Sequence, residues 1–394
     1  MTTSAPSPGP VDSPTRVRIT DPADLIAAVP ALLGFVPTNS VVLICIGGPS
    51  GGGVGTVMRH DLVLPNWYEP DRAETDPAMS AALERFAAVC DAENASKALV
   101  VIVDDCTDVH IAVPVSGAAD WHDREEIEGI VRRWMHEDIV DELAYLLDAC
   151  GTKLIGAHVV SQIEAGAQWW SLGTDPRRGV LPDPNASFVA AAHVFEGHQI
   201  RRSRADIAAQ LDPVDSRETA LVADHLDKVL DSTVLAMELA VQRADPLSYA
   251  RRQLELVLRQ IANLESGARL LAPEIAELGA ALTNTSVRDA LLALSVGDAA
   301  EAAERMFLLL TRSLPGTARA AAATLLAMCA YIRGDGPLAG VSLEAALTAD
   351  PEYRLARMLD QALQLGMRPA VIRETAVAGF AAADALGVRL PPEC

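Results

Sequence analysis

Two aspartates, Asp104 and Asp105, close the apolar run KALVVIV (Lys97–Val103). That run reads as a buried strand, and ligands in open α/β sheets bind at the carboxyl ends of strands. Paired carboxylates there can hold a divalent cation or move a proton. The same pair also suits a solvated turn, because Asp is common at strand exits. Arg59 and Asp61 alternate onto one side of a second strand, which permits either an anion contact or a cross-strand ion pair. Trp169 and Trp170 are consecutive on a presumed strand and therefore point to opposite faces. One suits a core; for the other, packing under a helical half is favoured over stacking a ligand or partner. These six residues form the candidate ligand-binding set, with no metal ligand, cofactor or catalytic residue assigned.

A glycine-rich stretch, CIGGPSGGGVGT (Cys45–Thr56), suggests a phosphate loop at first sight. A Walker loop needs a lysine and a following helix. The chain has only Lys97, Lys153 and Lys228. A dinucleotide loop needs G-x-G-x-x-G and a helix. Here VGTVMRHDLVLP follows, which alternates like a strand. The tract is therefore expected to be a hairpin loop. His193 and His198 lie five apart on different sides of a helix, and His122 and His136 are too far apart to share an ion unaided. No C-x-x-C pair, H-E-x-x-H motif or G-x-S-x-G elbow occurs. An enzyme reading is disfavoured, although catalytic partners can be distant in sequence.

The elements around these residues alternate. DPADLIAAVPALLG predicts a helix capped by Asp21, with Pro22 in its first turn and Gly34 at its end. SVVLICI is a β-branched buried strand. PAMSAALERFAAVCDAEN is an amphipathic helix with Leu83, Phe86 and Cys90 on one side. RVRI and VHIAVPV are further strand candidates. HDREEIEGIVRRWMHEDIVDELAYLLDACG is a long acidic helix ended by Gly151. KLIGAHVVS and AGAQWWSL read as strands, and GTDPRRGVLPDPN as a linker or loop. From about Ala186 onward only helices are expected.

A weak repeat marks the second half. ALLALSVGDAAEAAERMFLLL aligns with AMCAYIRGDGPLAGVSLEAAL, and Gly297 and Gly334 lie 37 residues apart. Each copy carries a Gly-Asp turn, a small residue (Ala302, Ala339) and a large apolar one (Met306, Leu343). The pattern resembles tetratricopeptide helix pairs, and it also fits an ordinary helical hairpin.

The chain's 394 residues carry a net charge of −21, which opposes binding to nucleic acid or anionic membranes. The one dense basic run, RRSR at Arg201–Arg204, is too short for a nucleic-acid footprint. No apolar run reaches membrane-spanning length, the Ala-rich AAAATLLAMCAYI being the nearest. The N-terminal MTTSAPSPGPVDSP lacks signal-peptide features and reads as a disordered lead. A cytoplasmic location is expected.

Four segments in order, DPADLIAAVPALLGFVPTNSVVLICI, QWWSL, LPDPNASFVAAAHVFEG with SRADIAAQLDP, and GDGPLAGVSLEAALTADPEYRLARMLDQAL, resemble the bacterial family called domain of unknown function 4192. The likeness runs from about Val17 to Leu365; the glycine loop and the region Trp121–Cys150 depart from it. It implies a bacterial cytoplasmic protein and brings no reaction or catalytic residue.

The expected organisation is a disordered lead (1–15), a mixed-sheet α/β domain (16–180), a linker with short helices (181–213) and an all-α, repeat-like domain (214–394). The leading functional expectation is a non-catalytic interaction or scaffold protein with a protein partner on the C-terminal helices. The alternative is a small-ligand- or metal-binding enzyme with its site at the strand ends.

Overall fold

The computed structural model describes residues 21–47, 53–66, 75–106, 124–173, 176–195 and 200–391. The lead, RVRI, the glycines of 48–52, VHIAVPV, Trp121, His122 and His198 lie outside the described residues.

Six strands form one mixed sheet in the order β2-β1-β3-β4-β5-β6. β1 (Ser40–Ile46) and β2 (Val54–Asp61) are an antiparallel hairpin, so a strand follows the glycine tract. β3 (Lys97–Val103) runs antiparallel to β1 and parallel to β4 (Lys153–Val160). β5 (Gln168–Ser171) and β6 (Arg178–Val180) complete the sheet as antiparallel neighbours. β6 corrects the linker expectation: Arg178–Val180 pairs with β5, although it sits in a Pro/Gly-rich stretch. The sheet is apolar on both sides because both are covered.

On one face lie α2 (Pro77–Ala92) and α3 (Arg124–Ala149). Leu83, Phe86 and Cys90 of α2 and Ile139, Leu143 and Leu147 of α3 close over Val41, Leu43, Val100, Ile102 and Trp170. The α3 residues recur every fourth position, which gives a helix one apolar stripe. The other face takes α1 (Pro22–Leu33), whose Asp21 side chain accepts from the Ala23 N–H at 2.9 Å and whose C-cap Gly34 has φ of +76°. Val42, Ile44, Val101, Val103 and Trp169 join α1 there, and the same apolar cluster runs on without a break into the helical half.

Among the described residues, all later elements are helical. They are α4 (Phe188–Phe195), α5 (Arg204–Ala209), α6 (Ser216–Gln242), α7 (Ser248–Glu265), α8 (Ala272–Thr283), α9 (Thr285–Leu291), α10 (Ala300–Ser313), α11 (Gly316–Arg333), α12 (Gly336–Ala349), α13 (Arg354–Gln364) and α14 (Pro369–Ala385). α11 contains the Ala-rich run and is buried over most of its length. A helix that is apolar all round belongs in a core, and no described helix is long and apolar enough to cross a membrane. Its close neighbours are possible because its side chains are small.

The two Gly-Asp turns behave alike in part. Gly297 and Gly334 have φ of +109° and +87°, a region open to glycine at little cost. Gly334 ends α11, and the Asp335 side chain then accepts from the Leu338 N–H at 3.0 Å to start α12. The earlier turn is preceded by a 3-10 segment, Leu292–Ser295, and α10 has no side-chain cap. Two arginines of RRSR make contacts within the chain: Arg201 exchanges backbone hydrogen bonds with Gly34 and Val36, and Arg204 pairs with Glu344 at 2.7 Å.

Candidate functional site

One row of paired positions crosses the sheet: Asp61, Ser40, Val103, Val160, Trp169 and Gly179. The row brings Asp61, the residue before Asp104, and Trp169 to the same end of the sheet. Strand alternation then divides the candidates between faces. Asp104 follows Ile102 onto the α3 face with Trp170, whereas Arg59, Asp61 and Trp169 face the α1 side.

Asp104 is 1% exposed, so the solvated-turn reading fails for it. A buried carboxylate must be paired. Arg132 Nη1 donates to Oδ1 at 3.0 Å and to Oδ2 at 2.9 Å, and His136 Nε2 donates to Oδ2 at 3.0 Å. The Cys106 backbone N–H adds a contact to Oδ1 at 3.1 Å, and the Asp104 N–H donates to Val160 O at 3.0 Å. Arg132 and His136 are one turn apart on α3, so they present to the strand exit from one helix face. The result is an electrostatic latch between α3 and β3. His136 is fully buried, and its Nδ1 has no hydrogen-bond partner among the described residues.

Asp105 is exposed, and its backbone N–H donates to Asn39 Oδ1 at 3.2 Å. The Cys106 thiol donates to Asp105 Oδ1 at 3.3 Å, and that carboxylate pushes the thiol above its ordinary pKa. One donor atom each of Asp104, Asp105 and Cys106 lies within 4.8 Å of the others. Cation binding would have to compete with Arg132, whose positive charge already sits on both Asp104 oxygens.

Arg59 donates through Nε to Ser40 Oγ at 2.8 Å and through Nη2 to Asp61 Oδ1 at 2.6 Å. The ion pair thus runs along β2, between i and i+2, while the cross-strand contact goes to a buried hydroxyl. Trp169 and Trp170 are both buried, one in each core, and both indole N–H groups lack a partner among the described residues. Packing is therefore where both side chains go. His158 meets Trp169 edge-on, with ring centroids 5.2 Å apart. Burial, and secondarily the Arg177 charge, push the His158 pKa down to about 4. A surface hollow of ≈ 730 Å³ lies beside Trp169, lined also by Asp21, Ala23, Arg177, Gly179 and Val180.

Arg132 and His136 are the residues sequence reasoning missed. The available signal was their i, i+4 spacing on the helix that follows the Asp-Asp strand exit.

The chain matches the family model described as domain of unknown function (DUF4192) over residues 22–370. No curated protein and no solved structure matches it. The chain belongs to the DUF4192 family.

Proposed function

We propose that this DUF4192 chain is a non-catalytic interaction protein whose helical half carries the partner surface. The observation behind this reading is the last third of α6. Leu235, Met237, Leu239 and Val241 stand 40–65% exposed, and Ala240 is the one buried residue within 235–241. Leu235 and Leu239 form one i, i+4 row and Met237 and Val241 another, so apolar side chains face solvent on two sides of the helix. Single exposed apolar residues need no explanation, but four in the seven positions Leu235–Val241 mark a helix end that gains by being covered. Leu247, between α6 and α7, is exposed as well. The polar cluster at Asp104 supports the same reading, since its charges are spent on one another.

The test is affinity capture on the tagged full chain beside its Leu235→Glu/Val241→Glu variant, with binding of the captured protein then measured using purified components. We expect at least a tenfold loss of affinity in the variant with its melting temperature unchanged. Equal binding by both chains removes the α6 surface.

The alternative, a ligand site at the strand ends, is favoured by one observation: the Nδ1 of buried His136, next to Asp104, has no hydrogen-bond partner among the described residues. An Asp-oriented imidazole with a free second nitrogen is the arrangement of a general base. Its test is whether His136→Gln abolishes ligand binding in a small-molecule screen while the fold persists.

A further inference from the structure

The sequence offers no C-x-x-C motif, yet the fold brings two distant cysteines together. Cys45 on β1 and Cys90 on α2 lie 45 positions apart in the chain, and their sulfurs are 3.2 Å apart in the core beneath α2. A disulfide bond measures about 2.05 Å, so a movement of roughly 1 Å would join them. Free cysteines in a core usually act as small hydrophobes. Two in direct sulfur contact across a strand and a helix have a second option.

We propose that Cys45 and Cys90 form a reversible disulfide that pins α2 to β1 when the protein meets a hydroperoxide. The Cys45 thiolate attacks one peroxide oxygen, the O–O bond breaks, and hydroxide leaves, taking up the thiol proton as water. The Cys45 sulfenic acid then receives the Cys90 sulfur, and a second water departs. Two thiols are oxidised by two electrons, and one hydrogen peroxide is reduced to two waters.

The roles follow from the contact. With the Cys90 S–H donating across the 3.2 Å contact, the Cys45 thiolate is the stabilised one, and Cys45 is taken as the attacking sulfur. Both sulfurs are buried, so the oxidant must be as small as hydrogen peroxide. Cys150, partly exposed at the end of α3, places its sulfur 3.7 Å from the Ala87 carbonyl, one turn before Cys90 on α2. Cys329 is different: it is buried in α11, and burial pushes its thiol well up.

The experiment oxidises the full chain with hydrogen peroxide, quenches with catalase, denatures it in N-ethylmaleimide and maps peptides by mass spectrometry. The expected result is a Cys45–Cys90 cross-linked peptide, two fewer alkylated thiols, and full recovery after dithiothreitol. The Cys106→Ser/Cys150→Ser variant should keep the cross-link, and Cys45→Ala should lose it and leave Cys90 alkylated. Complete alkylation of Cys45 and Cys90 under conditions that oxidise exposed Cys106 overturns the proposal. So does a cross-link to any other cysteine. The wild-type map decides by itself if Cys45→Ala does not fold.

Discussion

The exit of β3 and the end of α6 depart from the usual arrangement of a globular protein in opposite directions. At Asp104 charge lies inside; at Leu235–Val241 oil lies outside. The buried carboxylate is accounted for by Arg132 and His136, which come from the same chain and answer it atom for atom. The α6 residues have no such answer among the described residues. The contrast separates a polar cluster that explains itself through stability from an apolar one left exposed, and it is why the functional proposal rests on α6.

The contrast can be broken most severely at Asp104. Asp104→Ala leaves Arg132 and His136 facing an empty site, and breaking a buried pair costs about 3–5 kcal/mol. Urea unfolding should show that loss, while Asp105→Ala, one residue on but exposed, should stay within about 0.5 kcal/mol. Equal effects for the two aspartates would mean that the latch does not hold α3.

Acid should weaken the sheet half next. His158 is held neutral with its pKa at about 4, below the ordinary His value of about 6.5. Between those values the unfolded chain binds the extra proton, so stability is full above about pH 6.5 and falls as the pH drops toward 4. His158→Phe should flatten that slope in denaturant melts at pH 7 and pH 5. An unchanged slope would shift the cause to other groups.

The smallest stability effect belongs to α6. Leu235→Glu/Val241→Glu should change the unfolding free energy by less than about 0.5 kcal/mol, since both side chains are mostly exposed. A loss of several kcal/mol would show that the end of α6 is packed in solution and would erase the contrast.

Much of the frame was legible because its signals are local. Asp21-Pro22 and Gly34 mark both ends of α1, and the β-branched runs of β1 and β3 identify themselves. β6 was not legible: three residues on the sheet's edge pair only because β5 lies beside them, and Arg-Gly-Val has no pattern to show it. The strand alternation of Trp169 and Trp170 was readable. That both are buried depended on helices covering both faces. At Asp104 the strand exit was clear, but solvated turn and buried latch differ only in partners 28 and 32 positions away. The α6 surface was hidden for the converse reason, since its apolar residues look like core until the packing leaves them out.

The unbroken apolar cluster from β1 and β3 through α1 to α14 has a consequence for inheritance. A segment can be copied onto another gene as a working unit only if its interior travels with it. Here the interior of the helices is also the underside of the sheet. A recombination event between the two halves would hand each daughter gene an unfinished product, so the pair should pass through lineages whole.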